Sequence, residues 1–443
     1  MFKVSCFTVP LSIFPASKDV VLLNTATKAL LPISKENWSK IQSSKFSSLD
    51  PLFLSCLREL HMVVDDSEDE LEFVKRTIEQ IQEHQGYLGL TLTTTYACNC
   101  RCAYCYESDM HTDTHMMDAT TVNLIQRWAT SFCESFHVRF LDVCYHGGEP
   151  LLNLPFILYM SQEFAKLSSR LGITLKQSIV TNGTLLTTPI VNMLVSCGIK
   201  TVMISVDGPP QVHDKRRPYW NGKSTFKDVM DNISNIKDLF DIILSVNLDG
   251  QNASSAFELL HILERKGLKK CIKISFPQVK PGMDHNAHCS QYELNPQTAV
   301  KWIGQLYRTA VISGFSTDDV LGLGFCTRRR LLSYVIDPRG NLFDCITGVG
   351  RDGFKVGTLN DAPEDVITKR RLRLRPLKPN AQSCLTCAYW PLCLGGCSEQ
   401  AFVKHGSINA CDCRKDFFDN WFPVAAKIKL LQEILSKAGK AHT

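Results

Sequence analysis

Cys98, Cys102 and Cys105 form a CxxxCxxC pattern, with Tyr104 just ahead of the third cysteine. Three thiolates at that spacing fall within one loop, where they can hold three corners of a metal cluster. A [4Fe–4S] cube has four irons and normally takes four protein ligands. Three cysteines leave one iron open, as a catalytic metal site requires and a structural one does not. The competing reading is a fragment of a zinc site. Cys100 lies out of register with the spacing and reads as a small buried or solvent-facing residue.

A second cysteine group lies toward the C-terminus. Thirteen residues separate Cys326 from Gly340, and four more separate Gly340 from Cys345. Cys384, Cys387, Cys393 and Cys397 then give CxxC, five intervening residues and CxxxC, and Cys411 precedes Lys415-Asp-Phe417-Phe418. CxxC pairs are common zinc ligands, so a zinc ribbon is the simplest alternative. Between the two groups, His146-Gly147-Gly148-Glu149-Pro150 combines glycines that let backbone approach a ligand with one carboxylate acceptor. Thr181-Asn182-Gly183, Ser205-Val-Asp207-Gly208-Pro209 (leading to His213-Asp214 and Arg217) and Asn247 are further polar positions of the kind found at strand ends.

Such residues act together only if secondary structure gathers them. Strand signals recur at 88–95, 138–145, 175–181, 200–206, 242–248 and 272–279, with amphipathic stretches between them, such as 120–132, 155–171, 189–197 and 226–239. Six βα units in order predict an α/β fold with a parallel sheet and right-handed crossovers. Active sites in such barrels gather at the carboxyl ends of the strands, where each polar segment falls. At 443 residues and 44% hydrophobic content, the chain can bury a large core and form two or three domains. Ten of its nineteen cysteines fall in the two motif groups. A secreted disulfide scaffold would be shorter and more evenly cysteine-rich, so the pattern indicates iron–sulfur work in a reducing, cytoplasmic compartment. The apolar stretch 4–14 is broken by Pro10, and no run reaches the roughly eighteen apolar residues of a membrane span. A formal charge of +5, well dispersed, gives no case for nucleic acid.

A cysteine loop after a threonine-rich strand, followed in order by GGEP, resembles the radical S-adenosylmethionine (SAM) superfamily. The resemblance runs from about residue 86 to the C-terminus. It implies an open, partial (β/α)6 TIM-like barrel and a [4Fe–4S] cluster on Cys98, Cys102 and Cys105 whose open iron chelates SAM. Reductive cleavage would then give methionine and a 5′-deoxyadenosyl radical. Gly147, Gly148 and Glu149 would meet the SAM amino group, Thr181 and Asn182 its ribose, and Ser205, Asp207 and Asn247 the rest of its pocket. The second cysteine group resembles the family's SPASM extension, which carries two auxiliary [4Fe–4S] clusters, three clusters in all. Cys326, Cys345 and Cys397 would hold the first, and Cys384, Cys387, Cys393 and Cys411 the second; Cys411 suits the last place better than Cys413. This gives a radical SAM core over 86–310 and a SPASM domain over 311–443.

The chain also departs from its relatives. Anaerobic sulfatase-maturating enzymes have an eighth cysteine where this chain has Val320. That leaves the first auxiliary cluster with an open iron, substrate, Asp318, Asp319 or the distant Cys289 at its fourth position. Those enzymes also place an aspartate base just after the second cysteine of the extension; here Ile346 stands there and Asp344 lies on the other side, a candidate base in altered register. The resemblance therefore implies oxidative modification of a ribosomally made precursor peptide, leader plus core, by thioether, C–C or C–O cross-linking, with flavodoxin or ferredoxin as reductant. The alternatives are sulfatase maturation to formylglycine, peptide epimerisation and, from another class, a non-catalytic iron–sulfur electron carrier. Residues 1–85 read as short strands at 3–8, 20–24 and 29–32, then 35–42 and a helix over 65–83 whose acidic start suits the helix dipole. This small α+β domain resembles winged-helix leader-recognition domains, which add a peptide as a strand; the other reading is a cap on the barrel. The basic run 369–378 reads as a solvated connection, with capture of an acidic peptide or an electron donor as the alternative. His285, His288 and Cys289 read as a loop.

Overall fold

The first strands gather a small layer around Leu22, Ile33, Ile41, Leu57 and Met62. The structure, a computed structural model, describes residues 1–11, 19–83, 86–111, 113–280, 293–322, 326–374 and 382–440. Strand β1 (Phe2–Val4) precedes an antiparallel three-stranded sheet of β2 (Thr8–Leu11), β3 (Asp19–Asn24) and β4 (Leu30–Ser34). Ser34 caps helix α1 (Lys35–Gln42), and Asp50 followed by a proline starts α2 (Pro51–Glu59), a helix absent from the sequence expectation. The helix expected over 65–83 begins later. Val63–Asp65 forms strand β5, antiparallel to β1, and Asp69 caps α3 (Glu70–Gln82) by accepting from Glu72 N. Most of the acidic cluster therefore precedes the helix; pairing with β1 overrides the local charge signal.

All six expected barrel strands form: β6 (Tyr87–Thr93), β7 (Phe140–His146), β8 (Thr174–Thr181), β9 (Thr201–Ser205), β10 (Asp241–Ser245) and β11 (Ile272–Ser275), each parallel to the next. Helices α4 (Ala119–Ser135), α5 (Leu154–Leu171), α6 (Thr188–Ser196), α7 (Pro210–Arg216), α8 (Phe226–Ile236) and α9 (Ala256–Arg265) fall between them. Strand parity decides what each residue does. Leu88, Leu90, Leu92, Val143, Ile179, Val202, Ile204 and Leu244 join the same buried core as Trp128, Phe164, Ile233 and Leu259 of the helices. The alternate positions Val180, Met203, Ser205 and Ser245 face the barrel interior.

The C-terminal third continues this sheet. After β12 (Ser316–Thr317) at one end, β13 (Ser333–Ile336) returns to pair parallel with β6, and β14 (Asn341–Phe343) and β15 (Lys355–Thr358) extend the sheet antiparallel. The helix Pro296–Ile312 packs on the helix Lys415–Lys440, close enough that a Cβ on Gly304 would lie 2.5 Å from Val424 Cγ1. The N-terminal layer also meets this region: Phe7, Val74 and Ile78 share a core with Trp390 and Leu394. Among the described residues no helix is long and apolar enough to cross a membrane.

The described part of the basic run, 369–374, ends the helix Pro363–Leu374; Lys369 and Arg371 are exposed as expected of a solvated amphipathic connection, but Arg370 is fully buried. Residues 375–381 lie outside the described residues, as do His285, His288 and Cys289.

Candidate active site

Beyond β6 the chain turns into the cysteine loop, and this turn is pinned by the segment after β7. Thr94 N donates to His146 O (2.8 Å), Gly148 N to Thr95 O (3.0 Å) and Glu149 N to Ala97 O (2.9 Å). Such proximity requires glycine: a Cβ at Gly147 would sit 2.4 Å from Thr95 O, and one at Gly148 would sit 2.4 Å from Ala97 O. Gly147 also has φ +131°, a backbone conformation that other residues rarely adopt. The result is a cradle of bare backbone beside the three cysteines.

Cys98, Cys102 and Cys105 all face one cavity of about 380 Å³, with Gly147, Gly148, Thr181, Asn182, Ser205 and Asn247 in its wall. Two expected contacts lie behind that wall. Glu149 is fully buried and accepts from Thr181 Oγ1 (2.8 Å), Asn182 N (2.8 Å) and Leu151 N (3.1 Å). Asp207, equally buried, accepts from Asn247 N (3.2 Å) and from the Tyr104 hydroxyl. Both carboxylates orient residues that do reach the cavity. Asn182 Nδ2 further donates to Asn99 Oδ1 (2.7 Å), joining the end of β8 to the cysteine loop.

Charge is balanced in this second layer. Arg217 donates to the Tyr104 hydroxyl (2.7 Å), while Arg216 lies over the Tyr104 ring and pairs with Asp249 (2.6 Å) and Asp207 (3.5 Å). Burial pushes the Asp207 carboxyl up, but Arg217 and Arg216 outweigh it and hold the group below the usual carboxylate range. Burial raises the Cys102 thiol to about 11, with Arg217 pulling the other way; Cys98 is lowered, chiefly by a hydrogen bond from Cys100, against its burial. Cys100 itself is buried. Thiols in so dry a place become thiolates only beside further positive charge, as metal ligation supplies.

Several cavity residues had no role in the sequence expectation, among them Glu107, His111 and Lys280; His146 was named there only as the start of the glycine motif. Burial raises Glu107 to about 8, with Cys98 adding to it, and its Oε1 has no hydrogen-bond partner among the described residues. Burial lowers His146 to about 4, so the ring is neutral at pH 7. Glu107 follows the third cysteine by two positions and His146 directly precedes the glycines, so proximity to the motifs was the available signal.

Thr347 and Glu399, both from the C-terminal third, also line this cavity. Thr347 Oγ1 lies 3.1 Å from the Cys345 sulfur, and burial, with nearby Cys326 adding to it, raises the Cys345 thiol to about 12. Arg329 feels the charges of Cys326, Cys393 and Cys397 together. Cys384, Cys387, Cys393, Cys411 and Cys413 border one small recess, with the Cys384 and Cys411 sulfurs 3.6 Å apart. Asp344 is elsewhere. Fully buried, it pairs with Arg328 (2.5 Å), Arg370 (3.2 Å) and Arg373 (3.2 Å) and does not line the cavity. Asp318 accepts from Tyr307 (2.6 Å) and Ser275 (2.8 Å), Asp319 accepts from Leu321 N (3.2 Å), and Val320 is buried.

Comparison with known proteins agrees with this geometry. The model of the radical SAM superfamily matches residues 92–263. A cysteine-type anaerobic sulfatase-maturating enzyme of Clostridium novyi (strain NT) is 25% identical over 361 residues, 73% of this chain and 91% of the relative. A serine-type counterpart from Bacteroides thetaiotaomicron is 30% identical over 145 residues, 32% of this chain and 34% of the relative. Among solved structures, native anSMEcpe with bound AdoMet and Kp18Cys peptide gives a TM-score of 0.64 at 18% identity, covering 78% of this chain and 99% of that one. Streptococcus suis SuiB bound to precursor peptide SuiA gives 0.56 at 14% identity, covering 93% and 99%. Residues 92–263 are thus a radical SAM domain, and the chain carrying it is an enzyme related to the anaerobic sulfatase-maturating enzymes and sharing a fold with SuiB.

Proposed function

We propose that this enzyme oxidatively modifies side chains of a ribosomally made precursor peptide. With SAM and a reduced [4Fe–4S] cluster in place, the superfamily's chemistry supplies a 5′-deoxyadenosyl radical that abstracts hydrogen from a substrate. The residues fit that pair of cofactors. Three cysteines, two glycines packed backbone to backbone on the cysteine loop and an orphaned Glu107 oxygen surround one cavity. In this reading Cys98, Cys102 and Cys105 hold the cluster, and Gly147 and Gly148 present backbone to the SAM amino group. Thr181, Asn182, Ser205 and Asn247 contact the remainder of SAM. Glu149 and Asp207 hold those residues in place from behind, and Arg217 offers the cavity a buried cation.

The C-terminal third supplies the other wall. Cys326, Cys345 and Cys397 are assigned to a first auxiliary cluster, and Cys384, Cys387, Cys393 and Cys411 to a second. Thr347 and Glu399 hold the substrate side of the cavity and keep water from it. A peptide entering between the two walls would be positioned by residues from both parts of the chain. The N-terminal sheet fits a leader-binding role, because the outer edge of β4 pairs with no other strand among the described residues.

One observation carries the choice of a cross-linking or dehydrogenating maturase over sulfatase maturation. The carboxylate nearest the position of the sulfatase maturases' base is Asp344, and three arginines enclose it away from the cavity. Sulfatase maturation is the second reading, favoured by 25% identity across 91% of the Clostridium novyi relative. Anoxic incubation with SAM and a reductant, against either a precursor peptide encoded nearby or a sulfatase-derived peptide, separates the two. Loss of two hydrogens from the precursor, with fragmentation suppressed across one segment, is the expected result. Conversion of cysteine or serine to formylglycine in the sulfatase peptide alone would reverse the order of the readings.

A further inference from the structure

The segment Pro218–Lys223 lies along the outside of the cysteine loop. Arg101 N donates to Pro218 O (2.8 Å), Trp220 N donates to Asn99 O (3.2 Å), and Cys100 bridges Tyr219 as in an antiparallel ladder. A tight turn closes the segment, with Tyr219 N donating to Lys223 O (3.0 Å) and Gly222 N to Tyr219 O (2.9 Å). At its tip the Trp220 indole N–H donates to the backbone carbonyl of Cys98 (2.7 Å), yet the residue is 48% exposed. The Arg101 guanidinium lies 5.7 Å from the centre of the Trp220 ring, and Arg101 and Lys223 are both exposed. None of these three residues lines the cavity.

A large aromatic ring fixed in orientation, half bare to solvent, with a guanidinium beside it and an exposed lysine in the same turn has the composition of an interface anchor; Trp and Arg dominate such hot spots. Its single hydrogen bond leads directly to the first cysteine of the loop. We propose that Trp220, Arg101 and Lys223 form the docking surface for an acidic one-electron carrier protein. The proposal rests on the radical SAM reading above, in which the metal site must first be reduced by one electron from outside before SAM is cleaved. In the docked complex the carrier gives up one electron to the metal site behind Cys98 and is itself oxidised by one electron; no bond is made or broken in that step. Two exposed cations steer a negatively charged partner and hasten encounter. Redox encounters are small and transient, so a compact patch is sufficient. The nearby carboxylate of Asp228 is bonded to the Tyr219 hydroxyl (2.8 Å). In the described part of the other basic candidate, 369–374, the cations have partners: Arg370 is buried, Lys369 pairs with Asp361, Arg371 with Glu83, and Arg373 is committed to Asp344 and to the carbonyls of Gly353 and Lys355.

The test compares two reductants on the reconstituted enzyme and on the double variant Arg101→Glu with Lys223→Glu. An acidic flavodoxin serves as the protein donor and dithionite as the small one. The expected result is a flavodoxin Kd at least tenfold weaker in calorimetric titration, and a similar fall in the rate at which photoreduced flavodoxin bleaches the cluster. Dithionite-driven 5′-deoxyadenosine formation stays at the wild-type rate. Unchanged flavodoxin affinity and bleaching rate in the variant would overturn the docking assignment. So would a parallel loss with dithionite, because the residues would then act on the cluster itself. Wild-type enzyme that cleaves no SAM even with dithionite would instead overturn the reading on which the proposal stands.

Discussion

His213 shows how a residue without direct access to the cavity governs its stability. Its Nδ1 accepts from Asp207 N (3.2 Å), so the proton is on Nε2, which donates to Thr225 Oγ1 (3.1 Å); that hydroxyl donates in turn to Arg217 O (2.7 Å). A second ring proton would face the Asp207 N–H, and the ring is buried, so only the neutral form fits. Burial, with Arg217 adding to it, lowers the ring from 6.5 to about 4. The unfolded chain therefore binds the extra proton between those values. Stability is full above pH 6.5 and declines as pH falls toward 4. From pH 7 to pH 5 this one residue removes about 2 kcal/mol. Urea unfolding midpoints at the two pH values measure it, and His213→Gln is expected to flatten the slope by that amount. An equal slope in the variant would assign the acid sensitivity to other groups.

At the scale of elements, the cysteine loop and the barrel were legible because their signals are local. Spacing marks the three cysteines, and apolar runs with period two mark β6 to β11, since each strand buries one face against helices. Other features depend on partners remote in sequence. The acidic start expected of α3 is displaced because Val63–Asp65 pairs with β1, about sixty residues away. Glu149 and Asp207 read as ligands in sequence, and the structure adds what the sequence hides, that each accepts hydrogen bonds from the strand end beside it. Arg370 sits in a basic run that reads as solvated, but the hairpin β14–β15 and the helix Pro363–Leu374 enclose it around Asp344. This arrangement makes Asp344 a clamp between those elements. Removing the anion leaves three arginines poorly compensated in a dry place, so Asp344→Ala is expected to lower stability by about 3–5 kcal/mol. Thermal unfolding checks it: a base acting on substrate would lose turnover with the melting temperature retained, whereas the clamp loses the melting temperature first.

On the scale of the whole molecule, one cavity is assembled from distant parts of the chain. The cysteine loop closes one side at Cys98 to Cys105, and Thr347 and Glu399 close the other. The C-terminal third cannot be a loosely attached module, because β13 pairs along β6, the same strand that leads into the cysteine loop. In the proposed reading, substrate held in this cavity would lie between the two cysteine sets; Thr347 lines the cavity and lies 3.1 Å from the Cys345 sulfur. The two sets are therefore expected to fail differently. Cys98→Ala should abolish both 5′-deoxyadenosine formation and peptide modification, while the C-terminal cysteines keep their iron. Cys345→Ala should retain 5′-deoxyadenosine formation but lose modified peptide, because the change falls on the substrate's far side and spares the Gly147–Gly148 cradle. The ratio of 5′-deoxyadenosine to modified peptide, measured with iron content for each variant, reads this directly. If Cys345→Ala stopped 5′-deoxyadenosine formation while remaining folded and iron-loaded at Cys98, the division of labour between the two walls would be wrong.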